Sequence, residues 1–140
     1  MARLIPCNTR YIALRLNRQI EDSELPDKWA AQLRKGALEM AALASVCDRR
    51  LYGLEIIRTL EEKSDLVLSE GTIYPILSRL KAEGYLASEW VEAEAGHPRK
   101  YYVLTETGQQ RLLAMAMAWQ SFSAGLDRLL QPVFAREKTS

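Results

Sequence analysis

The sequence predicts a mainly α-helical protein that carries a small β-hairpin and ends in a long helix. Apolar residues recur at three- and four-residue spacing in several stretches of the 140-residue chain, as in amphipathic helices. Two short runs rich in aromatic and β-branched residues, "LASEWVE" and "KYYVL", follow the third of these stretches. Gly96 and Pro98 lie between the two runs, which is typical of a hairpin loop.

The composition is that of a globular domain, with 48% hydrophobic residues, 26% charged residues and a net charge of +1. No apolar run approaches the roughly 20 residues that a membrane-spanning helix needs. Arg10, Arg15 and Arg18 interrupt any run that could serve as a secretory signal. We therefore expect a cytoplasmic protein. The small net charge hides an uneven distribution, because Arg49–Arg50 and Arg99–Lys100 form two basic pairs.

Cysteine and histidine usage argues against an enzyme. Cys7 and Cys47 have no paired spacing that would indicate a zinc site or a disulfide framework. His97 is the single histidine and lies in a Gly-His-Pro loop, so a histidine-assisted nucleophile would have to use it. We expect no catalytic residues, no metal and no cofactor.

The chain divides into four segments. Residues 1–26 lack a clear period and are expected to form an N-terminal arm, either ordered or disordered. Residues 27–104 contain three short helices and the hairpin, residues 105–132 the long helix, and residues 133–140 a tail. Pro26 before Asp27 marks the start of the first helix.

The first two helices each have an apolar face. "DRRLYG" separates them, and the connector after the second helix places Leu66 and Leu68 toward the core. The predicted apolar face of the first helix consists of Trp29, Leu33, Ala37, Met40, Ala44 and Cys47. That of the second helix consists of Leu54, Ile57 and Leu60.

The third helix lies within "SEGTIYPILSRLKAEGYL". Gly84 suits the residue that ends a helix with a positive φ angle. Pro75 limits where the helix begins, because proline is tolerated in the first turn and costly in the interior. Either Thr72 is near the N-cap, or the helix begins at Ser69 and bends at Pro75. The predicted buried residues are Ile73, Ile76, Leu77 and Leu80.

Thr105 is expected to cap the last helix, with Glu106 near its positive end. We expect this helix to end at about Leu130, because Pro132 discourages continuation. The resulting order of three helices, a hairpin and a long helix is that of a winged helix-turn-helix domain.

Such a fold presents the start of its third helix and its hairpin, the wing, to a DNA duplex. A recognition helix enters the major groove with its N-terminal residues first, and helix N-termini also bind phosphate. Ser69 and Thr72 supply hydroxyls, Tyr74 supplies a hydroxyl and a ring, and Pro98 stiffens the wing. The predicted DNA-binding residues are Ser69, Thr72, Tyr74, Pro75, Arg79, His97, Arg99 and Lys100.

Each feature also has a simpler interpretation. Ser69 and Thr72 could serve only as helix caps, and Tyr74 could be half-buried core. Arg99 and Lys100 could be a solvated pair at the hairpin. The hypothesis of DNA binding depends on all of these residues lying on the surfaces that one fold presents to a duplex.

Three segments resemble the PadR family of bacterial transcriptional regulators: "YGLEIIRTL", "LSEGTIYPILSRLKAEGYL" and "GHPRKYYVLTETG". The resemblance covers roughly residues 33–113 and leaves residues 1–26 outside. It implies a homodimeric winged-helix repressor that small molecules, often planar and aromatic, release from its operator. It also implies the compact branch of the family, in which a single C-terminal helix forms the dimer.

The last helix carries a heptad-like series that predicts dimerisation, although the same series could pack within one subunit. A two-fold dimer would place its recognition helices about 34 Å apart on a symmetric operator. Met115 and Trp119 could line a pocket for a flat effector, or could simply pack in the interface. The series consists of Leu112, Met115, Trp119, Phe122, Leu126 and Leu129.

Two function hypotheses follow. The first is a DNA-binding transcriptional regulator, a homodimeric repressor released by a small hydrophobic or aromatic effector. The alternative is a winged-helix module that binds another protein without sequence-specific DNA binding, which the low net charge permits.

Overall fold

The computed structural model describes residues 27–64, 66–92 and 96–138. The expected N-terminal arm, residues 1–26, lies outside the described residues. The elements in chain order are α1 (Asp27–Ser45), β1 (Leu51–Tyr52), α2 (Gly53–Ser64), α3 (Glu70–Ala82), β2 (Leu86–Glu92), β3 (Pro98–Leu104) and α4 (Glu106–Glu137). Four helices and a small antiparallel sheet confirm the predicted fold class for this part of the chain.

The chain forms two compact units, residues 1–36 and residues 37–140. The first unit contributes only the opening turns of α1 to the described structure. The sheet and helices α2, α3 and α4 all belong to the second unit. Within the described ranges, no helix combines the length and the apolar character that crossing a membrane requires.

The sheet has the strand order β1-β3-β2. The predicted hairpin pairs β2 with β3, from Leu86 opposite Leu104 to Glu92 opposite Pro98. The third strand, β1, was not predicted; it places Leu51 opposite Tyr102 on the other edge of β3. Leu51 and Tyr102 are both buried, so this short strand attaches the wing to the core.

The core of the second unit lies among α1, α2, α3 and one face of the sheet. It contains Leu38, Ala42, Leu43, Val46, Leu51, Ile56, Ile57, Leu60, Leu66, Ile73, Leu77, Leu80, Leu86 and Tyr102. The predicted apolar face of α3 is confirmed, with Ile76 partly buried beside it. The expected placement of Leu66 and Leu68 is confirmed as well.

The predicted faces of α1 and α2 were partly wrong. In α1 the structure buries Leu38, Ala42 and Leu43, whereas Trp29 and Leu33 are exposed. In the predicted α1 face, Ala44 and Cys47 are exposed too. Leu54 of α2 was predicted to be buried but is exposed, and Ile56 is buried in the core instead. The apolar residues of α1 are spread around much of its circumference. Periodicity alone therefore did not identify the face that the other helices cover.

Helix α3 begins directly after Ser69, which has extended backbone angles (φ −87°, ψ 161°). Of the two predicted starts, the one at Ser69 is therefore observed, and Pro75 lies inside the helix. Gly84 has φ +84° and ends the helix as predicted. The Gly84 N–H donates to the Lys81 carbonyl, and the Tyr85 N–H donates to the Leu80 carbonyl, which is the bonding of a Schellman motif.

Thr105 caps α4 as predicted, because its side-chain oxygen accepts a hydrogen bond from the Gly108 N–H at 2.9 Å. The predicted end of α4 near Leu130 was wrong, since the helix continues through Pro132 to Glu137. Proline removes one N–H from the helix, the one that would bond to the carbonyl of Arg128. Arg128 is exposed, so water can replace that bond.

Candidate nucleic-acid interface

The first turns of α3 present polar groups to solvent. Ser69, Thr72, Tyr74 and Pro75 are all exposed. The Ser69 side chain makes no capping bond to a helix N–H; its Oγ lies 3.1 Å from Oγ1 of Thr72. Both hydroxyls therefore lie at the surface, where they are available to a ligand.

Tyr74 is 38% exposed, and one edge of its ring rests on Gly53 at the start of α2. Partial burial raises the pKa of the Tyr74 phenol, and the charge of Glu70 raises it further. The phenol consequently keeps its proton at neutral pH. A protonated phenol at the surface can donate a hydrogen bond to a phosphate oxygen.

Arg99 and Lys100 of the wing point to opposite faces of β3, because side chains alternate along a strand. Arg99 is exposed, and its guanidinium carbon lies 4.6 Å from the centroid of the Tyr52 ring. The Lys100 ammonium lies 5.6 Å from the Tyr102 ring centroid and 6.0 Å from that of Trp90. His97 is exposed in the loop before β3.

Lys100 also lies near a second lysine. Partial burial lowers the pKa of the Lys100 ammonium, and the positive charge of Lys81 on α3 lowers it further. Two lysines that repel each other across the gap between helix and wing form a local concentration of positive charge. A phosphate group placed between them would relieve the repulsion.

An open groove of about 570 Å³ lies between helices α2 and α3 on one side and the wing on the other. Among the described residues, its lining combines aromatic rings with three cationic side chains and includes no carboxylate. Such a lining suits an anionic ligand that also offers flat surfaces, as a nucleic acid does. The lining residues are Tyr52, Gly53, Leu54, Arg58, Tyr74, Ser78, Trp90, Arg99, Lys100 and Tyr102.

Comparison with known proteins identifies the family. The model of the transcriptional regulator PadR-like family matches residues 42–114, a range that runs from α1 across the groove to the start of α4. The chain belongs to the PadR-like family. The family resemblance inferred from the sequence is thereby confirmed. This PadR-like protein is a DNA-binding transcriptional regulator, and members of such families are generally not enzymes.

Solved structures of PadR-like proteins agree with this assignment. A PadR-like transcription factor from Bacteroides fragilis is 36% identical, with 73% of this chain and 98% of that chain covered and a TM-score of 0.61. A PadR family regulator from Eggerthella lenta is 31% identical over 74% and 90% of the two chains, with a TM-score of 0.67. A PadR-like regulator from Bacillus cereus is 32% identical over 71% and 97%, with a TM-score of 0.66.

Five of the eight predicted DNA-binding residues do not line the groove: Ser69, Thr72, Pro75, Arg79 and His97. Arg79 is the one of these that ion pairs hold toward another helix of this PadR-like protein. Its guanidinium lies 3.4 Å from a carboxylate oxygen of Glu39 on α1 and 3.9 Å from one of Glu83. Two carboxylates therefore offset its charge, and the side chain turns toward α1 instead of toward the wing.

Seven of the ten groove-lining residues were not among the predicted DNA-binding residues: Tyr52, Gly53, Leu54, Arg58, Ser78, Trp90 and Tyr102. Lys81, which lies near Lys100, was also missed. Ser78 and Lys81 follow Tyr74 by four and seven positions, so the three side chains share one face of α3. That spacing was visible in the sequence and could have identified them. Trp90 had no such signal, because only its pairing opposite Lys100 places it beside the groove.

Proposed function

We propose that this PadR-like protein is a homodimeric repressor, in which each subunit grips a two-fold symmetric operator with α3 and the wing. The observation that carries the proposal is the groove itself. It brings Tyr74 of α3 together with Arg99 and Lys100 of the wing, and these elements are far apart in the sequence. The arrangement supports one continuous contact surface for a duplex.

In this proposal the start of α3 enters the major groove. The hydroxyls of Ser69 and Thr72 contact base edges or phosphates, and the exposed backbone amides of the first turn favour a phosphate. Tyr74 donates to phosphate, and Pro75 contacts the duplex through its exposed ring. Arg99, Lys100 and His97 of the wing reach the neighbouring phosphates. We leave Arg79 out of the contact surface because Glu39 and Glu83 offset its charge.

Helix α4 forms the proposed dimer interface. Trp119, Phe122, Leu126 and Leu129 are exposed by 44%, 61%, 38% and 76% respectively, which is unusual for large apolar side chains on one helix. Because α4 continues beyond Pro132, the exposed Val133 extends the same face. The other two members of the predicted series, Leu112 and Met115, pack against the core of their own subunit.

The effector site is proposed around Trp119, the exposed member of the Met115 and Trp119 pair. Its indole offers a flat apolar surface on the face assigned to the dimer interface, where a planar aromatic molecule could stack. Support for the repressor role and for release by such a molecule comes from the family resemblance.

Selection of bound duplexes from a random pool tests the proposal. We expect a two-fold symmetric consensus with half-sites about one helical turn, roughly 34 Å, apart. Affinity for the selected duplex should also fall steeply with salt, because cations of the wing displace counterions from phosphates. A pool without enriched sequences and a shallow salt dependence would instead favour a winged-helix module that binds protein.

A further inference from the structure

We propose that Tyr52 and Gly53, at the junction of β1 and α2, are positioning residues that set the spacing between the two DNA-contacting elements. The inference rests on the proposed function, since it concerns how Tyr74 and Arg99 reach one duplex together. Each of those side chains rests on one residue of the dipeptide: Tyr74 on Gly53 and Arg99 on Tyr52.

The contact between Gly53 and Tyr74 leaves no room for a side chain at position 53. A Cβ atom added to Gly53 would meet the Tyr74 hydroxyl and would lie 2.6 Å from Cε1 and 2.7 Å from Cζ. Real Cβ atoms do not approach other heavy atoms so closely, so the ring would have to move. The part in contact is the far end of the ring, which would swing toward solvent and away from its present place.

The contact between Tyr52 and Arg99 orients the cation of the wing. The guanidinium lies over the Tyr52 ring at 4.6 Å, within the range of a cation–π interaction. The Tyr101 ring meets the Tyr52 ring edge to face, with centroids 5.5 Å apart. Tyr52 is therefore held between two residues of β3, and its ring limits the directions in which Arg99 can extend.

The dipeptide itself is anchored to the core. Tyr52 pairs with Tyr101 in the sheet, and its N–H donates to a carboxylate oxygen of Glu55 at 3.2 Å. Leu51 and Gly53 on either side are buried. A rigid support that touches both elements transmits its position to both, so the distance from Tyr74 to Arg99 depends on these two residues. Neither needs to touch DNA to influence affinity.

A double-mutant cycle on the full-length protein tests the Gly53 arm, with the duplex selected from the random pool as the probe. We expect Gly53→Ala to weaken binding about tenfold, as displacement of one good contact does. In a Tyr74→Ala background the same substitution should cost less than about twofold, because the ring that it displaces is gone. Gly36→Ala is the matched control; beyond its own helix, no atom of the described residues lies within 4 Å of its added Cβ, and affinity should not change.

The Tyr52 arm has its own cycle and a conservative rescue. Tyr52→Leu should weaken binding about as much as Arg99→Ala, and the combined variant should be no weaker than either alone. Tyr52→Phe keeps the ring and should restore the affinity of the wild type. Additive losses of affinity in both cycles would overturn the positioning role. So would a Tyr52→Phe variant that binds more weakly than the wild type.

A measurement without DNA guards against a variant that fails to fold. In the wild-type protein, the ring current of Tyr74 should shift the Gly53 Hα resonances in NMR spectra. Tyr74→Leu should move these resonances, while those of Gly36 stay in place. Unmoved Gly53 resonances would overturn the contact, and with it the proposal. If the wild-type protein binds no duplex, both proposals fail; if it binds but the losses are additive, only the positioning role fails.

Discussion

The backbone carbonyl oxygen of Tyr85 lies directly against the Cα of Gly108, where α4 joins the end of α3. A Cβ atom at position 108 would meet that oxygen and would lie 2.8 Å from Cδ1 of Leu104. Thr105 reinforces the junction: its hydroxyl donates to the Gly84 carbonyl at 2.7 Å, and its N–H donates to the Tyr85 carbonyl at 3.1 Å. The start of α4 is thus attached to the turn that follows α3.

We expect Gly108→Ala to lower the free energy of unfolding by about 2 kcal/mol, because a backbone oxygen cannot move aside cheaply. Urea unfolding at a fixed protein concentration measures the change. Gly36→Ala, in an open part of α1, is the control and should stabilise the protein by about 0.5–1 kcal/mol through helix propensity. Equal stabilities for the two variants would contradict the close contact at position 108.

The wing should account for part of the salt dependence of DNA binding. Replacing both Arg99 and Lys100 by alanine removes two proposed phosphate contacts. The slope of log affinity against log salt should therefore become shallower by about 1.8. Fluorescence anisotropy with the selected duplex at several salt concentrations measures the slope.

Arg79→Ala is the matched control for this experiment, because it also removes a cation from the helix-and-wing domain. Glu39 and Glu83 already offset the charge of Arg79, so its loss should leave the slope unchanged. An unchanged slope for the double wing variant, or a shallower slope for Arg79→Ala, would reverse our assignment of the two sites.

The dimer interface can be tested by placing one charge on either side of α4. Phe122 and Leu113 are equally exposed, at 61% and 63%. At roughly 100° per residue, their side chains lie on opposite sides of the helix. Phe122→Glu should shift the protein from dimer toward monomer in analytical ultracentrifugation, because it buries an unpaired charge. Leu113→Glu should remain dimeric. A monomeric wild-type protein at micromolar concentration would contradict the proposed interface.

Glu39 joins three helices through ion pairs. Its carboxylate on α1 lies 3.4 Å from Arg79 of α3 and 3.5 Å from Arg111 of α4. The Glu39 side chain is only 19% exposed, whereas both arginines are about half exposed. We expect Glu39→Gln to lower the free energy of unfolding by about 1 kcal/mol, since two guanidinium groups then lose their shared partner.

Urea unfolding at low and high salt distinguishes this charge effect from a packing effect, because salt screens the ion pairs. The loss for Glu39→Gln should shrink at high salt. Glu89→Gln is the control: it breaks the pair with Arg50 on the open face of the sheet, where both side chains are half exposed, and should produce no resolvable change. A loss independent of salt would show that Glu39 acts through packing.

The elements that could be predicted from the sequence are those with local signals at both ends. Helix α3 begins directly after Ser69 and ends at Gly84, and its apolar face was correctly predicted between them. Strand β1 has only two residues, too few for any alternation to show. The predicted end of α4 was wrong because a proline ends a helix less readily where solvent can bond to the carbonyl that it leaves unpaired.

The candidate site was predictable in its types of residue and less so in its arrangement. Ser69, Thr72 and Tyr74 are exposed as the DNA-binding hypothesis requires, and the roles assigned to them remain predictions. Arg79 looked equivalent to the other cations in the sequence. Its pairing with Glu39, 40 residues earlier in the chain, sets it apart, and no local pattern announces such a pair.

The sequence by itself determined the order of the four helices and the hairpin, the cap at Thr105, the end of α3 at Gly84, and the family. Backbone hydrogen bonds, capping and side-chain period act over a few neighbouring residues, so they can be recognised in a short stretch of sequence. The tertiary structure alone decided that Tyr74 rests on Gly53, that Arg99 lies over Tyr52 and that Lys81 approaches Lys100. These contacts join residues far apart in the chain, and they exist only once the packing of the core has brought α2, α3 and the wing together.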